Sequence, residues 1–214
     1  MKFKIMKIIP ALLAGDEKEA LRLLSLVELM KAEYLHVDVM DGRFVPSMSV
    51  PAEFWLNHPP QIPWAVHLMV EDPASYLESF FRAGAKRITF HYEAEMNPGQ
   101  VLKQIKALGL KSGIALNPDT QPAKLEPYLP DLDYTLVMSV NPGFYGSSFL
   151  PETLNKIPVL RSLGGHFAVG IDGGISLETF PLVKQAGVEE VNIGSYLFKA
   201  QNPLENYQKL LALA

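Results

Sequence analysis

Histidine and aspartate side chains interrupt an otherwise apolar stretch of this sequence. Residues 34–40, YLHVDVM, are rich in aliphatic and β-branched residues and end at an Asp-Gly turn signal, which predicts a β-strand. Alternate residues of a strand point to opposite faces. One face is therefore aliphatic, while the other carries His36, Asp38 and Met40. A carboxylate and an imidazole side by side on a buried strand indicate a functional site, such as a catalytic or metal-binding site.

Three further apolar segments end in similar residues. VHLM at residues 66–69 places His67 and Met69 on one face. The segment around Met138 leads to NPGFYG, and VGIDGG places Asp172 just past an apolar run. His36, Asp38, His67 and Asp172 offer the nitrogen and oxygen donors that suit one divalent cation such as Zn²⁺, Fe²⁺, Mn²⁺ or Co²⁺. Burying unpaired carboxylates is costly, and a cation would offset that cost.

Each of these residues also has an ordinary interpretation. A single strand histidine is more often a hydrogen-bonded core residue than a metal ligand, and an Asp-Gly pair is more often a turn. The three methionines, taken singly, are ordinary core filling. The metal hypothesis gains weight because four residues that can act as ligands fall at equivalent strand ends.

The elements that must position these residues alternate regularly along 214 residues. The predicted strands cover residues 8–13, 34–40, 64–70, 88–92, 111–116, 134–140, 167–171 and 191–193. Helical segments follow each of them, with a capping-box start at Asp16 and Glu19, and a kink or break near Pro158. Eight βα units without a linker predict a single-domain (β/α)8 TIM barrel over residues 1–214, an α/β fold. A doubly wound open sheet is disfavoured because no GxGxxG follows the first strand.

Composition narrows the possible partners. The chain is 48% hydrophobic and 20% charged with a net charge of −4, so no basic surface suggests nucleic acid. It has no cysteine, which excludes disulfides and thiolate chemistry. The basic and apolar start resembles a signal peptide, but Pro10 interrupts the run and acidic residues follow at once. No apolar run approaches the ~20 residues of a membrane span, so we expect a cytoplasmic protein without membrane association.

Glycines follow the last three strands. DGG at residues 172–174 and Gly194-Ser195 stand where many barrels hold a phosphate through backbone N–H groups. NPGFYG at residues 141–146 is typical of a mobile lid that pivots on Gly143 and Gly146, or else of an ordinary βα turn.

Four of these segments together resemble a known family. HVDVMDG at residues 36–42, VHLM at 66–69, MSVNPGF at 138–144 and IDGGI at 171–175 are similar, in order and spacing, to the signature segments of ribulose-phosphate 3-epimerases. The resemblance implies a barrel that interconverts D-ribulose 5-phosphate and D-xylulose 5-phosphate in the pentose phosphate pathway, and a homo-oligomer.

The resemblance also implies roles for residues. The metal would be held by His36, Asp38, His67 and Asp172, with Asp38 and Asp172 as acid and base. The sequence leaves open which aspartate serves which face of the substrate. The remaining positions would line the substrate pocket, the last four of them around the phosphate: Met40, Met69, Met138, Gly143, Gly146, Gly173, Gly174, Gly194 and Ser195.

Two positions depart from the family pattern. Ala11 replaces a serine that touches the substrate, and Tyr145 replaces a small lid residue. Losing one such hydrogen bond costs about 1 kcal/mol. These departures leave the sugar preference open, so a related substrate such as D-allulose 6-phosphate is an alternative. A second alternative is a barrel that binds a sugar phosphate without turnover.

Overall fold

The computed structural model describes residues 6–94, 97–143 and 146–214. Its eight strands pair in parallel, each with the next and the eighth with the first, in a closed barrel. The strands are β1 Lys7–Leu12, β2 Leu35–Met40, β3 Trp64–Met69, β4 Arg87–His91, β5 Lys111–Leu116, β6 Tyr134–Met138, β7 Ala168–Asp172 and β8 Glu190–Ile193. The predicted (β/α)8 TIM barrel is confirmed.

Helices cover the outside of the barrel. They are α1 Glu17–Met30, α2 Ala52–Asn57, α3 Leu77–Arg82, α4 Pro98–Ala107, α5 Lys156–Ser162, α6 Phe180–Ala186, α7 Ser195–Phe198 and α8 Pro203–Leu213. Three 3₁₀ segments complete the connections: Pro73–Tyr76, Pro122–Asp131 and Pro151–Asn155. The outward-facing aliphatic residues of the strands pack under these helices in one continuous core. Within the described residues, no helix is long and apolar enough to cross a membrane.

Local signals set several of these boundaries. The Asp16 carboxylate accepts a hydrogen bond from the Glu19 backbone N–H at 2.8 Å, which caps α1 as predicted. The predicted helix over residues 151–163 is a 3₁₀ segment followed by α5, so the change lies at Lys156 rather than at Pro158. Pro158 lies in the first turn of α5, where no intrahelical N–H is required, and therefore does not break the helix.

Register brings the polar residues of neighbouring strands to one level. Asp38 of β2 is paired with His67 of β3, and Asp172 of β7 is paired with Asn192 of β8. Because all strands are parallel, their carboxyl ends meet at one end of the barrel, where active sites of this fold lie. The described part of the NPGFYG segment contacts the β2–α2 loop, since the Ser47 hydroxyl donates to the Gly143 carbonyl at 2.6 Å.

Candidate active site

Four buried donor side chains converge at the carboxyl end of the barrel. One ligand atom from each of His36, Asp38, His67 and Asp172 lies within 4.8 Å of the others. Asp38 Oδ1 lies 3.1 Å from His36 Nε2 and 2.9 Å from His67 Nδ1. Asp172 Oδ2 lies 3.5 Å from His36 Nε2 and 4.0 Å from His67 Nδ1. These distances allow a single cation to reach all four side chains.

The donor set fits a transition-metal ion on chemical grounds. Two imidazoles and two carboxylates are the mixed nitrogen and oxygen ligands that such ions accept. The two carboxylates face the same small space, and no lysine or arginine is among the described residues that line the cleft around them. A divalent cation would neutralise them, so the residues present fit the group.

Burial and charge set the two aspartates apart. Burial and the charge of Asp38 raise the pKa of Asp172 to about 7. Burial also disfavours the ionised form of Asp38, but the charges and hydrogen bonds of His36 and His67 outweigh it and hold the pKa of Asp38 well below its usual range. Burial lowers the pKa of His67 to about 4. One carboxyl group is thus ionised at neutral pH while its neighbour readily holds a proton.

A cleft lies directly above these side chains. It encloses about 540 Å³ with its open mouth included, and Asp38 and Asp172 form part of its floor. All nine residues for which the resemblance implies substrate contact also line it: Met40, Met69, Met138, Gly143, Gly146, Gly173, Gly174, Gly194 and Ser195. His36 and His67 lie behind the two aspartates and are fully buried. Ala11 lines the cleft too, whereas Tyr145 lies outside the described residues.

Glycine is required where the β7 loop turns beneath the cleft. Gly173 has φ +112°, and a Cβ there would lie 2.4 Å from Val140 Cγ2. Gly174 has φ +65°, and its Cβ would lie 2.6 Å from the Phe149 backbone nitrogen. Both values are left-handed backbone conformations that other residues rarely adopt. Ser139 holds the same turn, because its hydroxyl bonds to the carbonyls of Asp172 and Gly173 at 2.8 and 2.7 Å.

Sequence reasoning missed Asn192. It lines the cleft beside Asp172 and is fully buried, yet neither its Nδ2 nor its Oδ1 has a hydrogen-bond partner among the described residues. Burial raises the pKa of the Tyr134 phenol, and the nearby Asn192 amide opposes that shift. The two groups do not meet in hydrogen-bond geometry. An asparagine within an apolar strand could have indicated a residue of the site. β8 has only four residues, which are too few to show which face the asparagine is on.

A family comparison points to one class of enzyme. The model of the "Ribulose-phosphate 3 epimerase family" matches residues 7–198. A ribulose-phosphate 3-epimerase of Treponema pallidum is 38% identical over 195 residues, covering 88% of this chain and 89% of that protein. The enzyme of the same name from Mycobacterium tuberculosis H37Rv is 42% identical, covering 80% of this chain and 78% of that protein. The enzyme from Schizosaccharomyces pombe is 38% identical, covering 93% of this chain and 90% of that protein.

Solved structures with low identity share the fold. The 3-hexulose-6-phosphate synthase of Salmonella typhimurium superposes with a TM-score of 0.74 at 16% identity, covering 97% of this chain and 98% of that one. KGPDC from Streptococcus mutans, solved in complex with a sugar phosphate, gives 0.77 at 16% identity, covering 98% of each chain. At these identities the likeness concerns the barrel alone.

Metal affinity is expected to rise with pH. Because the pKa of Asp172 is raised to about 7 and that of His36 is also raised, both must lose any bound proton when a cation binds. Asp38 and His67, whose pKa values are lowered, are already deprotonated at neutral pH. Calorimetric titration with Co²⁺ should therefore show affinity rising about tenfold or more per pH unit below about 7. Affinity that stays constant between about pH 5 and 8 would contradict this coupling.

Proposed function

Because this chain belongs to the ribulose-phosphate 3-epimerase family, we propose that it inverts C3 of D-ribulose 5-phosphate to give D-xylulose 5-phosphate, as an isomerase of the pentose phosphate pathway. The observation that carries the proposal is the pair of buried carboxyl groups, Asp38 and Asp172, on the floor of the cleft with opposite pKa shifts. Two such groups are what a two-base proton exchange requires.

The reaction is a proton transfer next to a carbonyl. The C3 hydrogen of a 2-ketose is weakly acidic because the C2 carbonyl stabilises the charge left on its removal. One aspartate takes this proton from one face and leaves a planar enediolate. The other aspartate donates a proton to C3 from the opposite face, which inverts that centre with no net gain or loss of atoms. Asp38 and Asp172 belong to β2 and β7, two strands that are not neighbours in the barrel, which suits groups acting on two faces.

A divalent cation held by His36, Asp38, His67 and Asp172 would supply Lewis acidity that stabilises the negative charge of the enediolate. We propose Zn²⁺, Fe²⁺, Mn²⁺ or Co²⁺ as its identity. The two imidazoles hold their donor nitrogens toward the carboxylates from fully buried positions, so their orientation is fixed by packing.

The rest of the cleft would bind and enclose the sugar phosphate. Met40, Met69 and Met138 form a polarizable, uncharged wall next to the two aspartates. The phosphate would lie against the loops after β7 and β8, at Gly173, Gly174, Gly194 and Ser195, whose backbone allows close approach. Gly143 and Gly146 would act as pivots of a lid that excludes water. A cytoplasmic location and a homo-oligomeric assembly stay predictions.

Substitution of Asp172 tests the mechanism. In D₂O, the protein should convert D-ribulose 5-phosphate with deuterium incorporated at C3, as read by NMR. Asp172→Asn removes one of the two proton-transfer groups and should lower turnover by about 10²–10⁴-fold. Asp119→Asn removes an exposed carboxylate at the same end of the barrel and should leave turnover unchanged. A fully active Asp172→Asn protein, or label at another carbon, would refute the mechanism. Comparing D-allulose 6-phosphate in the same assay tests the alternative substrate.

Asn192→Leu is expected to separate stability from activity. Leucine has a similar size but no unpaired buried amide, so the free energy of unfolding should rise by about 1–3 kcal/mol. Because Ala11 offers no hydroxyl, the Asn192 amide is also expected to bind a hydroxyl of the substrate. KM should therefore rise in the leucine variant. Thermal unfolding and steady-state kinetics measure the two effects, with Thr135→Val as a control for removing an unpaired buried hydroxyl elsewhere. Lower stability with unchanged KM would contradict this interpretation of Asn192.

A further inference from the structure

His67 uses both of its ring nitrogens. Nδ1 faces Asp38 Oδ1 at 2.9 Å, inside the group of four donors, while Nε2 faces Nε2 of His91 at 2.9 Å. His91 is on β4, is fully buried, and is not one of the four converging residues. Two ring nitrogens at this distance form a hydrogen bond only when one carries a proton and the other does not.

The chain of contacts continues to an acidic residue. His91 Nδ1 lies 3.2 Å from Oε2 of Glu93. Burial raises the pKa of Glu93, but its hydrogen bonds to His91 and Thr120 outweigh that effect and hold it below the usual range. The glutamate is therefore ionised and only accepts hydrogen bonds. His91 must then carry its proton on Nδ1 and present a bare Nε2 to His67.

A cation at the four donors takes the Nδ1 lone pair of His67, so that this nitrogen no longer donates to Asp38 and one proton pattern remains. Because His91 Nε2 is an acceptor, His67 must carry its proton on Nε2 and leave Nδ1 with a free lone pair. That lone pair points into the space shared with Asp38 and Asp172. The neutral His67 tautomer that can bind a cation through Nδ1 is thus selected by a glutamate two side chains away.

Glu93 is itself held in place from two other elements. Its Oε1 accepts hydrogen bonds from the backbone N–H of Asn117, at 3.0 Å, and from the Thr120 hydroxyl. Lys156 of α5 holds the loop that carries both, since its Nζ donates to the carbonyls of Asn117 and Thr120 at 2.6 Å each. Both oxygens of the carboxylate are therefore used as acceptors.

We propose that His91 and Glu93 are positioning residues that fix the tautomer and orientation of His67 for metal binding. The proposal rests on the proposed function only in requiring that a cation binds at the four donors. Outer partners of metal-bound histidines raise metal affinity by about 10–100-fold in other proteins. A role in packing alone would change stability and leave the metal affinity unchanged.

Glu93→Gln is the decisive variant. Glutamine keeps the shape but has one acceptor oxygen, so it cannot accept from His91 on one side and from Asn117 and Thr120 on the other. In chelator competition with Co²⁺, the Kd should rise about 10–100-fold, and the visible absorption of the cobalt-loaded protein should change. Glu178→Gln, at an exposed position after β7, is the matched control and should behave as the unmodified protein.

A second measurement needs no substrate. Long-range ¹H–¹⁵N NMR of the Zn²⁺-loaded protein should show His67 protonated at Nε2 and His91 at Nδ1, and Glu93→Gln should shift this pattern. Thr120→Val removes only one of the bonds to Glu93 and should raise Kd by a smaller factor, so it serves if Glu93→Gln folds poorly. A Kd within about twofold of the unmodified protein in both variants, or the opposite tautomers in the unmodified protein, would overturn the proposal. Because these measurements do not use turnover, they remain decisive even if the epimerase assay fails.

Discussion

Asp38 lies between two buried imidazoles, and the geometry of the site depends on that arrangement. An isolated buried carboxylate carries a penalty of several kcal/mol, and the contacts at 3.1 and 2.9 Å to His36 and His67 offset it. The contact exists because β2 and β3 pair with Asp38 beside His67. A shift of one residue in this register would turn His67 toward the helices and place an aliphatic residue in the barrel. The register of two strands thus fixes the position of the donors.

The position of the second aspartate, Asp172, is set by β7, a strand that is not a neighbour of β2. Asp172 ends β7, where Ser139 holds the following turn and Gly173 and Gly174 provide a backbone that only glycine readily adopts. Asp172 is therefore brought near Asp38, and the proximity of two carboxyl groups in a buried space pushes their pKa values apart. Because the two carboxyl groups are close together, a bound cation would stabilise them, and one of them can hold a proton while the other is ionised.

Much of this arrangement could be predicted from the sequence, for identifiable physical reasons. The alternation of aliphatic and polar residues in β2 and β3 depends only on the period of a strand, and it assigned His36, Asp38 and His67 to one face. The role of His91 could not be predicted, because its contacts with His67 and Glu93 depend on the register of β3 with β4 and on a loop after β5. Asn192 was missed because the four residues of β8 are too few to show a period.

The central claim is that four side chains from three strands bind one cation, and X-ray absorption at the cobalt edge of the Co²⁺-loaded protein tests it most directly. We predict one Co²⁺ per chain, with the multiple scattering typical of two imidazoles together with oxygen ligands, and loss of one imidazole contribution in His67→Ala. Binding of less than one ion per chain, or a spectrum with oxygen ligands alone, would contradict the account.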